Sequence, residues 1–135
     1  MNEALQRHGI IQHKNYRRDY PVRCVVHGVE EEYIFSDALA NGSPIQLYQR
    51  MQLPKYKGSL RKTVHDVAWS FDHVIEQKIV AQDATAVLVS ASEEDLERSE
   101  VYKGIQLLRS VTNVINLKDD QSDQALAELA SEPVH

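Results

Sequence analysis

His65, Trp69 and His73 stand one helical turn apart in this chain of 135 residues. Imidazoles on adjacent turns can share a metal ion, but His65 and His73 are two turns apart, ~12 Å along a helix axis. No metal site is therefore expected from the pair. The group reads instead as a contact surface for another protein, with Trp69 as its anchor, because indole rings are enriched where binding energy concentrates. The competing expectation is that Trp69 packs beneath another part of the chain.

A second group is basic. Lys14, Arg17, Arg18 and Arg23 are interleaved with Tyr16 and Tyr20, and Lys55, Lys57, Arg61 and Lys62 accompany Tyr56. Cations mixed with aromatic rings suit phosphate neutralisation and base stacking. Arg17, Arg18, Lys57, Arg61 and Lys62 form the candidate anion-binding set. Lys57, Arg61 and Lys62 also crowd the start of a helix, where each cation costs ~0.3–1 kcal/mol against the dipole. A bound phosphate or carboxylate would offset that term.

Other constellations carry less chemistry. Cys24 and His27 have the residue types of a thiolate–imidazole pair, but an odd spacing on a strand sends them to opposite faces. A buried core cysteine is expected. The acidic runs Glu30–Glu32, Glu93–Asp95 and Asp119–Asp120 read as solvated connections and a helix start, not as carboxylates isolated in apolar surroundings. No Gly-rich phosphate loop, GxSxG, HExxH or CxxC is present. Catalysis is not the expected activity, and no cofactor is expected.

These residues must be positioned by a small fold. One domain over residues 1–118 followed by an acidic tail over 119–135 is the expected organisation. A single cysteine excludes an internal disulfide. No apolar leader or long uncharged stretch is found, so a cytoplasmic protein is expected. The net charge of −5 is unevenly spread. Residues 1–62 hold ten Lys/Arg against six Asp/Glu, whereas residues 63–135 hold five against fourteen. That asymmetry suggests an anionic partner for one end or head-to-tail pairing between chains.

The clearest element is a helix over residues 58–80. Leu60, Val64, Val67, Ala68, Phe71, Val74, Ile75 and Ile79 recur at three and four, giving one apolar stripe with Trp69 off it. Ser59 is a possible cap. Before it, Val22–His27 and Tyr33–Phe35 read as strands, Ser36–Gly42 as a capped turn of helix, and Ile45–Leu53 as a half-buried strand. After it, Ala84–Ser90 reads as a strand. Ser92 opens a second helix with Asp95 closing a capping box, and Val111–Lys118 is the last strand. Short helical turns at Asn2–Gly9 and Ser122–Ala130 complete the reading. Gly104 within the second helix costs ~1 kcal/mol against alanine unless close backbone approach or a break explains it.

The order predicts an α+β two-layer sandwich: N-terminal antiparallel strands, a long amphipathic helix, then strand–helix–strand. The expected function is a non-enzymatic protein-interaction module, such as an adapter, a chaperone-like subunit or an inhibitor, that self-associates. The alternative is a nucleic-acid or phosphate-anion binding protein using the basic arm and the helix start.

Overall fold

A computed structural model describes residues 14–118. The helical turns read at Asn2–Gly9 and Ser122–Ala130, and the acidic segment 119–135, lie outside the described residues. Among the described residues five strands form one mixed sheet in the order β1–β2–β3–β4–β5: Tyr16–Val26, Val29–Ala40, Pro44–Arg50, Thr85–Val89 and Asn113–Asn116. The first three pair antiparallel, and β3, β4 and β5 run parallel. Helix α1 spans Lys57–Glu76, α2 Glu93–Glu97 and α3 Ser99–Arg109. This is the α+β fold expected from the order of elements.

Alternation explains the first hairpin. Val22, Cys24 and Val26 are buried, whereas Arg23 and Val25 face outward. His27 (φ 51°) and Gly28 (φ 79°) both take left-handed conformations, which a two-residue hairpin turn requires.

Strand β2 departs from the reading of Ser36–Gly42 as helix: it continues to Ala40. The DALA stretch has local helical character, but Asp37 and Ala38 are paired to β1 on one side and β3 on the other. Two-sided pairing and full burial of Asp37, Ala38 and Leu39 outweigh local preference. At Ser36 the ladder is carried by side chains. Its hydroxyl accepts from Arg50 N–H (2.9 Å) and its own N–H donates to Gln49 Oε1 (3.2 Å).

Strand β3 ends at Arg50, earlier than the expected Leu53, and it is not half-buried. Leu47 joins the helix-side core, yet Gln46 and Tyr48 on the opposite face are also 1% and 0% exposed. They are satisfied internally, since Tyr48 Oη donates to Gln46 Oε1 at 2.6 Å. Strand β4 is buried along its whole length, as the apolar run Ala86–Val89 implies, and the buried Thr85 hydroxyl donates to the Gln82 carbonyl at 2.7 Å.

Helix α1 is continuous over 20 residues. Leu60, Val64, Ala68, Phe71 and Val74 are buried against the sheet, with Phe71 and Phe35 rings 5.0 Å apart. The helix stops four residues short of the expected Val80, and Lys78 takes a left-handed φ of 59° after the end. Ser59 does not cap; the N-cap position is Tyr56 and no side chain caps the first turn. The second helix is interrupted. Ser92 and Asp95 form the expected capping box, Asp95 N–H to Ser92 Oγ at 3.2 Å and Ser92 N–H to Asp95 Oδ2 at 3.0 Å. The chain then leaves helical geometry at Arg98 before α3 begins. Arg98 fixes that break by donating to the Lys55 carbonyl (3.0 Å) and to Glu100 (3.1 Å). Gly104 lies against α1, where an added Cβ would stand 3.0 Å from Val64 Cγ2. Close approach of two helices explains this glycine.

Candidate functional site: a cationic cleft between two helices

The Arg98 contacts bring the beginning of α3 beside the beginning of α1. Between them lies a cleft of about 280 Å³ lined by both helices. From α1 come Lys57, Leu60, Arg61, Val64 and His65; from α3 come Ser99, Glu100, Lys103, Gly104 and Leu107. Residues at three- and four-residue spacing on one helix share a face, so Lys57, Arg61 and His65 form a single row. Lys103 completes it from the facing helix.

The charge balance of this cleft is positive. Lys57, Arg61 and Lys103 outnumber Glu100, and Glu100 is bound to Arg98 at 3.1 Å. Its own backbone N–H, the Arg98 side chain and, more weakly, Lys57 hold the Glu100 carboxyl below the usual carboxylate range. No acidic residue occupies the first turn of α1 and, among the described residues, no side chain caps it, so the positive end of its dipole adds to the same field. An anion that bridges the row from α1 and Lys103 would meet cations on both sides.

The candidate residues are distributed over three places. Lys57 and Arg61 line the cleft together with His65; Lys62 is exposed on α1 but is not among the lining residues. Arg17 and Arg18 are exposed at the start of β1, paired with Ala38 and Asp37. The Arg17 guanidinium donates to the Tyr16 carbonyl at 2.8 Å. The tyrosines of this arm are committed to the fold. Tyr16 Oη donates to Asp37 Oδ1 at 2.5 Å, and Tyr20 packs against the core. Lys103 carried no signal as part of the site in the sequence, because only the tertiary fold sets α3 opposite α1.

His65, Trp69 and His73 likewise separate. Trp69 is 51% exposed, His65 is exposed on the cleft, and His73 is buried. His73 Nδ1 donates to the Trp69 carbonyl at 2.8 Å, and the two rings lie 4.2 Å apart between centroids. His73 therefore supports the indole from beneath rather than presenting its own ring. Tyr33 from β2 also lies near His73, 6.3 Å between ring centroids.

Cys24 is in the core at 2% exposure, and burial pushes its thiol pKa up, which favours the unreactive form. Among the described residues no group of three or more His, Cys, Asp or Glu is arranged to hold a metal ion. No helix among them is long and apolar enough to cross a membrane. Asp37 is fully buried and bound by Arg50 through two bonds of 2.7 Å, by Tyr16 and by Ser36 at 2.9 Å. Its position between strands makes it a structural carboxylate. Comparison with known proteins finds no matching family model, no matching curated protein and no matching solved structure.

Proposed function

We propose that this chain is a binding module, not an enzyme, and that its partner carries a phosphate or carboxylate held in the cleft between α1 and α3. The observation that carries this reading is the convergence of Lys57, Arg61 and His65 from one helix with Lys103 from another around a single cavity. Cations from two elements fix an anion at one point, which a solvated basic stretch does not do. The test is calorimetric titration of the full chain with inorganic phosphate at low ionic strength. Binding should weaken as salt rises and fall at least tenfold in Arg61→Ala and in Lys103→Ala. An absence of binding, or wild-type affinity retained in both variants, overturns the reading.

A second reading rests on Trp69. A half-exposed indole braced by a buried histidine has the rigidity of an interface anchor, and the partner would be another protein or a second copy of this chain. Light scattering of wild type and Trp69→Ala separates these. A dimer abolished by the substitution supports self-association through this face; a monomer whose captured partners survive it removes the reading.

A further inference from the structure

The cleft has two chemically different parts, and they constrain what fits. Its rim is the cationic row described above. Its floor is apolar: Leu60 and Val64, 1% and 3% exposed, with Gly104 opposite them and Leu107 at the wall. Gly104 has a structural role in this shape, because a side chain there would collide with Val64. Leu107 remains 37% exposed at the wall, so apolar surface is left in water beside the cations. A bare oxyanion would satisfy the rim and leave that surface uncovered. The volume, about 280 Å³, lies near the lower end of the range of small-molecule pockets, which begins at ~300 Å³. A polymer would need a basic track leading away from the cavity. Arg17, Arg18 and Lys62 are not among its lining residues.

We infer that the occupant is a small organic phosphate, its phosphate on Lys57, Arg61 and Lys103 and its apolar body against Leu107 at the wall, above the closed floor of Leu60 and Val64. The inference rests on the anion-binding reading above and narrows it to a ligand class. The same chemistry describes a phosphorylated aromatic metabolite and a mononucleotide, so both are tested.

Calorimetry on the full chain compares inorganic phosphate, phenyl phosphate, adenosine monophosphate, phenol and a single-stranded oligonucleotide. Phenyl phosphate should bind about tenfold more tightly than inorganic phosphate, the gain expected from partial burial of a ring. Leu107→Ser, at a partly exposed position that tolerates a polar side chain, should weaken phenyl phosphate more than inorganic phosphate and so remove that preference, with circular dichroism showing the fold retained. Tighter binding of the mononucleotide than of phenyl phosphate places the ligand among nucleotides, and the reverse order among simpler aryl phosphates; both support the class. Equal affinity for inorganic and phenyl phosphate overturns the inference while leaving the anion site standing. Phenol binding as well as phenyl phosphate, or the oligonucleotide binding more tightly than either small phosphate, also overturns it. Failure of every anion to bind removes the underlying reading as well.

Discussion

Asp37 has no solvent contact, so its oxygens depend on Arg50, Tyr16 and Ser36 for the hydrogen bonds that water would otherwise supply. Removing one partner of a buried ion pair costs ~3–5 kcal/mol, because the other charge keeps its desolvation. Asp37→Ala should lose about 3 kcal/mol, the lower end, since the Arg50 side chain is still 21% exposed; urea denaturation measures it. The Tyr16 phenol responds to the same environment. Burial, then the bond to Asp37 and its charge, push its pKa up to about 12. Between the unfolded value of ~10 and that folded value, the unfolded chain releases a proton that the folded chain keeps. Stability is therefore fully present below about pH 10 and falls as pH rises toward 12. Tyr16→Phe should be less stable at neutral pH by ~1 kcal/mol for the lost hydrogen bond, but should show a smaller alkaline fall. Urea midpoints recorded across the alkaline range in both proteins decide this, with Tyr48 unchanged as an internal reference.

At the scale of elements, two contacts set how the helices and strands meet. Gly104→Ala brings opposed effects: a gain of ~1 kcal/mol in helix propensity and a Cβ 3.0 Å from Val64 Cγ2. Val64 is 3% exposed and enclosed on the core side, so it cannot yield cheaply. Net destabilisation of ~1–2 kcal/mol is expected, and it should be smaller when Gly104→Ala is made in a Val64→Ala background. Chemical denaturation of the four proteins in that cycle is the measurement. The second contact protects an edge. Among the described residues strand β1 has a neighbour on one side only, and the Gln77 side-chain amide binds the outward N–H and C=O of Val25 at 3.3 and 2.6 Å. It occupies the place that a further strand would take. Gln77→Ala should leave monomer stability nearly unchanged while promoting concentration-dependent association, read by light scattering.

At the scale of the whole molecule, the proposed site belongs to neither helix alone. A ligand held by α1 and α3 together stabilises the assembled fold by RT ln(1 + [L]/Kd), ~2.7 kcal/mol at one hundred times Kd. Phenyl phosphate should therefore raise the melting temperature of wild type more than that of Lys103→Ala at the same ligand concentration. The lopsided charge of the sequence is relevant here in a way its totals conceal. Lys103 lies in the acidic second half of the chain, yet it completes a basic row supplied by the first half. Net charge by segment could not show that.

What the sequence by itself determined was local and periodic. The three- and four-residue recurrence of Leu60, Val64, Ala68, Phe71 and Val74 dictated a long helix with Trp69 turned away from the core. Alternation dictated the second half of β1, from Val22, though not its start at Tyr16, and the Ser92–Asp95 pair dictated the helix start. These depend on neighbours a few positions away, which the chain carries with it. What only the tertiary structure decided was pairing and opposition. Ser36–Ala40 became a strand because β1 and β3 flank it, Gln46 and Tyr48 were buried by contacts their alternation could not reveal, and His73 was covered by Trp69 and Tyr33. Arg61 acquired Lys103 as a companion through the same long-range packing, since partners 42 positions apart leave no trace in a period of 3.6 residues.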